Sequence, residues 1–320
     1  MSLARYLGRR VITAFVVVLI VMAFLASLDR LIPGNPVTYV FGPHANPALI
    51  RQVRHQMGLD VSVPQQIYQY IANAFQGNLG INFVTNQSVA SLVMQNLQYT
   101  LVLAVSGLGL AVLVGVPLGV LAAVKPGGLV DRAIGIVSIS VITLPPFVVG
   151  LLLILIFSVH LHVLPVIGAG APGQPADDIK HLVLPAVALA LGWIGYIARL
   201  VRSNMLEVLT SNYVRTAHAL GIRRRKVFYQ YALKNAAAPV VAILGVGLGT
   251  LLGGAIFIEV IFDRPGLGTL AYDAIASRNF PIVQGTSLVI AVLVIVANLL
   301  ADVTYRLLDT RIQLGQAAGT

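Results

Sequence analysis

Cysteine is absent from this 320-residue chain, and charged residues are scarce. Without cysteine the chain has no disulfide, no thiolate metal site and no cysteine nucleophile. Asp, Glu, Lys and Arg together make up 10% of the residues, whereas soluble proteins carry about 25%. Hydrophobic residues make up 58%, and several apolar runs are too long for the core helices of a soluble protein. The composition therefore predicts an all-α polytopic membrane protein.

The motifs of nucleotide binding and hydrolytic catalysis are absent as well. Because the sequence has no GxxxxGK(S/T), HExxH or GxSxG pattern, we expect a chain that is not an enzyme and holds no cofactor. His160 and His162 follow the third apolar segment, and His181 precedes the fourth. Two histidines at this spacing could share a metal, but no third ligand is near them in the sequence. We therefore expect interface histidines and no metal site.

Six apolar segments are long enough to cross the membrane. None has an ionisable residue near its centre, since Glu259 is near the outer end of the fifth segment and Asp302 near the inner end of the sixth. An ion-driven carrier usually keeps such a group at the midplane, so the energy for transport is expected to come from elsewhere. Pro145 and Pro146 predict a kink in the third segment. The segments are Val11–Leu28, Tyr99–Val124, Ala133–Val159, Leu182–Val201, Pro239–Phe262 and Gly285–Tyr305.

The distribution of basic residues predicts the orientation. With the N-terminus in the cytoplasm, 15 of the 21 Lys and Arg residues lie inside and six outside. Six spans then place both termini in the cytoplasm. The net charge of +10 does not indicate a nucleic-acid partner, because the basic residues gather beside the membrane segments.

The chain is predicted to have four parts. Residues 1–28 form an N-terminal segment with the first helix, and 29–98 form a folded helical loop outside the membrane. Residues 99–306 form the membrane core, with a cytoplasmic loop at 203–238, and 307–320 form a cytoplasmic tail. The outer loop is too long for a simple connection, so it either contacts an extracellular partner or caps the bundle.

Cap and break residues predict three helices in this outer loop. Asn46 with Pro47 begins the first helix and Gly58 ends it. Ser62 and Pro64 begin the second helix, which ends before Gly77. A third helix, over residues 87–97, leads into the second membrane span.

Glycines at helical spacing mark one side of two spans. Gly115 and Gly119 are four residues apart in the second span, as are Gly245, Gly249 and Gly253 in the fifth. Such sets allow two helix backbones to approach closely. The glycines therefore predict tight helix packing, and a pore-lining position in the fifth span is the alternative.

The one long polar and basic segment, residues 203–239, separates the fourth and fifth spans. Eight of the 21 Lys and Arg residues lie between Arg199 and Lys234. Its pattern predicts a short helix from Ser211 or Asn212, a break at Gly221 and a second helix to residue 235. This pattern alone fits a solvated topogenic loop as well as a docking element. The residues predicted to share one helix face are Leu206, Leu209, Tyr213, Ala217 and Leu220.

Several motifs in order carry a resemblance to a known family. They are Arg9–Arg10 before the first span, LIPGNP at 31–36, LPPF at 144–147 with GLL at 150–152 and LP at 164–165, FDRPGLG at 262–268, FP at 280–281 and QG at 284–285. Over nearly its whole length the chain resembles the inner-membrane permease subunits of ATP-binding-cassette importers for dipeptides and oligopeptides. The resemblance implies the type I importer fold.

The basic segment resembles the coupling motif of that family, a Glu-Ala-Ala stretch followed after three residues by Gly. Arg215, Thr216 and Ala217 stand at the first three positions and Gly221 at the last, so the Glu and the first Ala are replaced. Lys234 stands where a proline is expected. The resemblance implies that this helix docks in a groove of an ATPase subunit. The implied coupling residues are Tyr213, Arg215, Thr216, Ala217, Gly221 and Arg224.

The resemblance also implies partners and a location. They are a second permease subunit, two ATPase subunits that bind ATP and Mg²⁺, an extracytoplasmic substrate-binding protein, a peptide substrate and the lipid of the bacterial cytoplasmic membrane. The chain would form half of the translocation pathway. The alternatives are an ion-gradient-driven secondary peptide transporter and a non-transporting scaffold. Dipeptide, oligopeptide, glutathione, haem and metal chelate stay open as cargo.

Overall fold

The computed structural model describes residues 3–31, 59–171 and 173–308, together with positions 46, 48, 51 and 54. This part of the chain is almost entirely helical, and its one β-feature is an isolated bridge between Ile81 and Ser88. Two π-helical stretches, Ile154–His160 and Val227–Ala232, continue α5 and α8. The helices are α1 (Leu3–Leu31), α2 (Val63–Phe75), α3 (Val89–Val124), α4 (Leu129–Thr143), α5 (Pro146–Leu153), α6 (Pro175–Leu209), α7 (Asn212–Ala219), α8 (Arg224–Lys226), α9 (Leu233–Ala236), α10 (Ala238–Ile261), α11 (Leu267–Ala276) and α12 (Phe280–Leu308).

The prediction of a polytopic helical membrane protein is confirmed. The described residues contain five helices that are long and apolar enough to cross a membrane, and a sixth span if one bent pair is counted. That pair is Leu129–Thr143 with Pro146–His160, bent by 104°. The bend follows from the two prolines, because Pro145 forces Leu144 out of the helical region to ψ 127°.

The chain forms two compact units with boundaries after residues 101, 262 and 296. The first unit contains α1, α2, the first turns of α3, α11 and much of α12. One apolar cluster in this unit joins Val89 and Val93 to Leu267, Ala274 and Ile282. A second joins α1, α2 and α12.

Two of the three helices predicted for the outer loop lie within the first unit. The second is α2, which begins after Ser62 with Pro64 in its first turn and ends before Gly77, at φ +77°. The third runs without a break into α3, which begins at Val89. The first predicted helix, between residues 46 and 58, lies largely outside the described residues.

The second unit is built around α6. An apolar cluster at the C-terminal half of α6 joins Ile197, Val201 and Met205 to Phe228 and Val240. A second cluster, at the N-terminal half of α6, contains Leu189 and also Leu103, Val149, Ile258 and Phe262. Because both clusters contain α6 residues, this helix connects the basic segment to the rest of the unit.

Candidate functional site

The basic segment starts with a break between α6 and α7. Thr210 Oγ1 donates a hydrogen bond to the Glu207 carbonyl at 2.7 Å, and Ser211 Oγ donates to the Val208 carbonyl at 2.6 Å. These bonds occupy carbonyl groups at the C-terminal end of α6 that have no partner within the helix. A separate eight-residue helix, α7, therefore starts at Asn212.

The inner side of α7 is formed by Val214 and Ala217. Their exposed fractions are 0% and 4%, and they pack with Val227, which is also 0% exposed. The predicted continuous face from Leu206 to Leu220 is wrong, because one helix ends at Leu209 and α7 ends at Ala219. Its members also differ in burial, since Ala217 is buried whereas Tyr213 is exposed. Ala217, one of the expected coupling residues, is buried within the chain.

The outer side of α7 carries the other coupling candidates. Tyr213 is 44% exposed, and Arg215 and Thr216 are exposed as well. Leu220, in the turn directly after α7, is 75% exposed. The Tyr213 hydroxyl accepts a hydrogen bond from Asn235 Nδ2 at 2.9 Å. This bond fixes the tyrosine ring against the end of the second helical stretch.

Gly221 ends α7 in the left-handed conformation that the sequence predicted, with φ +73°. The Ile222 N–H donates to the Ala217 carbonyl at 3.1 Å, which is the six-to-one bond of a Schellman motif. Ile222 also packs in the cluster of Val214, Ala217 and Val227, which supplies the apolar contact of that motif. Arg224, another coupling candidate, is the first residue of α8.

The second helical stretch is attached to α6. Asn204 Nδ2 donates to the Ala236 carbonyl at 3.2 Å. Met205 is fully buried in one cluster with Phe228 and Ala232. Both ends of the α7 segment are therefore held by α6, directly at Leu209 and through the α8–α9 stretch.

An ion pair that the sequence analysis missed joins α4 to α6. Arg202 donates from its guanidinium to both carboxylate oxygens of Asp131, at 2.7 Å for the Nη2–Oδ2 pair. The same carboxylate accepts the Gly127 N–H at 2.8 Å. Asp131 is 6% exposed. Because 71 positions separate the two residues, no local pattern in the sequence could indicate this pair.

The glycines of α3 allow close contact with α6. A Cβ on Gly115 would lie 3.0 Å from the Ile194 carbonyl oxygen, and one on Gly119 would lie 2.5 Å from that of Ala198. Real Cβ atoms essentially never lie under 3.0 Å from another heavy atom, so Gly119 is required for this spacing, and the contact at Gly115 is tight.

The three glycines of α10 have different surroundings. A Cβ on Gly245 would lie 2.4 Å from the Ala301 Cα, and Gly249 is buried. Gly253 is exposed, and no described heavy atom lies within 4 Å of its Cβ position. It shares an exposed face with Val246, Thr250 and Phe257, of which Phe257 is 63% exposed.

The described residues contain no group of three or more His, Cys, Asp or Glu side chains that could hold a metal. His181 Nδ1 lies 2.9 Å from the main-chain oxygen of Asp177, one turn earlier in α6. This histidine is therefore part of the local structure at the start of α6.

Comparison with known proteins identifies the family. Residues 115–314 match the binding-protein-dependent transport system inner membrane component, and residues 3–104 match the N-terminal part described for such membrane components. The chain belongs to this family. The fold class and the resemblance inferred from the sequence motifs are thereby confirmed.

This chain matches curated relatives along nearly its whole length. It is 38% identical to a probable peptide ABC transporter permease protein, y4tP, of Sinorhizobium fredii, over 96% of this chain and 99% of the relative. It is 38% identical to the di/tripeptide transport system permease protein DppB of Pseudomonas aeruginosa, over 97% and 98%. It is 35% identical to the glutathione transport system permease protein GsiC of Escherichia coli, over 94% and 95%.

A solved structure supports the same fold. A chain of the MetNI methionine ABC transporter, in an inward-facing conformation, matches with a TM-score of 0.56 and 22% identity. The match covers 68% of this chain and 96% of that chain.

Proposed function

We propose that this permease takes peptides into the cell as one half of an ATP-driven importer. The family is that of binding-protein-dependent transport systems, and three relatives of nearly equal length are named for peptide, di/tripeptide and glutathione transport. Glutathione is itself a peptide, so all three names support a peptide cargo. The partners are a second permease, an extracytoplasmic binding protein and two ATPase subunits, which bind ATP and Mg²⁺.

The observation that carries the coupling role is the unequal division of α7 between a buried and an exposed side. Val214 and Ala217 anchor the helix inside the chain, whereas Leu220 is 75% exposed beside the basic run 223–226. An exposed leucine at the C-terminal end of a short helix suits a hydrophobic groove. Exposed arginines at its rim can pair with carboxylates of the partner. We therefore assign this side of α7 to the ATPase subunit.

The internal contacts of the second unit explain how closure of the ATPases would be transmitted. The Schellman turn and the apolar cluster around Val227 join α7 to the α8–α9 stretch. Asn204 and Met205 attach that stretch to α6, and Gly119 lies against α6 without an intervening side chain. A displacement of α7 therefore moves α6 and α3 with it.

The basic segment faces the cytoplasm in this proposal, and so do both termini. The exposed face of α10 around Gly253 and Phe257 then faces either the translocation pathway or the second permease. An ion-gradient-driven carrier is not supported, because the family depends on a binding protein.

Replacement of Leu220 tests the coupling role. Burial of a leucine side chain contributes about 1.5–3 kcal/mol. Leu220→Ser should therefore weaken ATPase binding by roughly 10- to 150-fold. Leu129 is 85% exposed at the start of α4, near the predicted cytoplasmic residues Lys125 and Arg132, so Leu129→Ser is the matched control.

The measurement uses the importer reconstituted in proteoliposomes with the partner subunits from the same host. Peptide uptake and peptide-stimulated ATP hydrolysis are followed for both variants, with and without a proton gradient. Loss of both activities in Leu220→Ser, with normal activity in Leu129→Ser, is expected. Equal activity of the two variants would refute the assignment of this surface. Uptake that follows the proton gradient and ignores ATP would refute the importer itself.

A further inference from the structure

In the first unit, α2 runs along α1 and does not project away from it. At the outer end of α1, Arg30 Nε donates to Gln66 Oε1 at 2.9 Å, and the guanidinium also donates to the Val61 carbonyl. At the other end of α2, the Phe75 ring lies 6.2 Å from the Phe15 ring of α1. Between these two contacts, residues of both helices pack in one cluster with Leu288: Val18, Leu19, Val21, Met22 and Leu25 of α1, and Tyr70, Ile71 and Ala74 of α2.

These contacts place the end of α2 beside the apolar part of α1. Phe15 lies inside the uncharged stretch Val11–Leu28, 14 residues before Asp29. At 1.5 Å per residue this separation is roughly 21 Å along the helix. The C-terminal end of α2 is therefore level with the membrane-crossing stretch of α1, which indicates that the segment re-enters the membrane from the outer side.

The exposed surface of α2 has two chemically different stripes. Gln65, Gln69, Asn73 and Gln76 are exposed at spacings of four, four and three, and therefore form one stripe of uncharged amides. Tyr68 and Phe75 form a second stripe, 72% and 61% exposed.

The amide stripe cannot face lipid acyl chains at this depth. Transfer of one amide from water to a hydrocarbon without a hydrogen-bond partner costs about 4–8 kcal/mol. Asn73 and Gln76, the two amides nearest the C-terminal end of α2, would together cost about 8–16 kcal/mol, as much as the whole stability of a typical domain, about 5–15 kcal/mol. The stripe therefore borders water or other polar groups, whereas Tyr68 and Phe75 suit lipid.

We propose that the amide stripe of α2 lines the outer part of the translocation pathway and contacts the main chain of the transported peptide. Each side-chain amide offers two donors and an acceptor, which match the C=O and N–H groups of a peptide backbone. Because the stripe has no charge, it selects for the peptide bond and not for the side chains of the cargo. This assignment rests on the proposed function, since it requires a peptide to pass.

The absence of cysteine makes the test direct, because the natural chain is already a cysteine-free background. Gln69→Cys and Asn73→Cys place single thiols on the amide stripe, and Tyr68→Cys and Phe75→Cys place them on the aromatic stripe. Each variant is assembled into the full importer in proteoliposomes. A charged, membrane-impermeant maleimide is added from the outer side, with and without binding protein loaded with peptide.

Because the thiolate is the nucleophile that attacks the maleimide and forms readily only where water reaches it, the two amide-stripe variants should react at least about tenfold faster than the two aromatic-stripe variants. Loaded binding protein should slow the reaction of the amide-stripe thiols severalfold, whereas binding protein without peptide should not. Unreactive thiols at both amide positions would overturn the proposal, because lipid, the second permease or another protein surface would then cover the stripe. Fast reactions that peptide does not slow would overturn the peptide contact.

Uptake by the unmodified importer separates this proposal from the proposed function. Normal peptide uptake together with either adverse labelling result refutes the role of α2 alone. Failure of the unmodified importer to take up peptide refutes the proposed function, whatever the labelling shows.

Discussion

Gly245 and Gly253 lie on the same face of α10, yet the same substitution should have opposite effects at the two positions. In Gly245→Ala, the new Cβ would lie 2.4 Å from both the Cα and the Cβ of Ala301. Carbon atoms in favourable contact are about 3.5–4.0 Å apart, so the two helices must separate by more than about 1 Å. In Gly253→Ala, no described heavy atom lies within 4 Å of the new Cβ.

The expected free energies follow from two terms. Replacing glycine by alanine inside a helix gains up to about 1 kcal/mol at either position. Overpacking costs about 1–3 kcal/mol, and the upper end applies at Gly245 because the contact is with backbone atoms. Gly245→Ala should therefore lose about 2 kcal/mol of unfolding free energy, and Gly253→Ala should gain up to about 1 kcal/mol.

The unfolding free energy of the detergent-solubilised chain, measured by SDS titration and by thermal denaturation, tests this difference of about 3 kcal/mol. Helix content at the start of each titration serves as the control for correct folding. Equal stability of the two variants would refute the close contact between α10 and α12. A strong loss in Gly253→Ala would show that its face is covered within the chain and is not available to the pathway or to a second permease.

Two further predictions concern the basic segment and its support. Gly221→Val should uncouple ATP hydrolysis from peptide uptake without loss of membrane insertion, because a β-branched residue disfavours φ +73°. Gly221→Asn should keep the coupling, since asparagine tolerates this conformation. Normal uptake by the valine variant would contradict the coupling role. Asp131→Asn should lower the unfolding free energy by about 1–3 kcal/mol, because it removes the charged acceptor of Arg202. The exposed neighbour Arg132, changed to Gln, should have little effect, and equal melting temperatures of the two variants would contradict a structural role for the ion pair.

The sequence was sufficient to predict local structure where a single residue determines the backbone conformation. Gly221 was predicted to be left-handed because few other residues adopt that conformation, and the structure has it at φ +73°. The bounds of α2 were predicted correctly from the cap residue Ser62, from Pro64 in the first turn and from Gly77 after the last turn, because each of these residues favours one backbone conformation. The apolar spans were predicted from length alone, since the membrane sets the number of residues a helix needs.

Features that depend on packing could not be predicted. Helical periodicity shows which residues share a face of α7, but it does not show which face turns inward, so Val214 was missed and Ala217 was treated as a contact residue. Pro145 and Pro146 predicted a kink, but the 104° angle depends on where α4 and α5 pack. The orientation of the termini stays a prediction, because it rests on charge counting alone.

The arrangement of the second unit bears on how a chain with so few charges can couple to ATP hydrolysis. One ionic contact, between Asp131 and Arg202, joins α4 to α6, and the glycines of α3 bring that helix against the same α6 backbone. Tightly packed helices transmit displacement because they have no compressible layer between them. A movement imposed on α7 from outside should therefore shift α3, α4 and α6 together, without an ionisable group near the centre of a membrane segment. Under the proposed function, the fixed helix contacts of the chain are therefore the means of coupling.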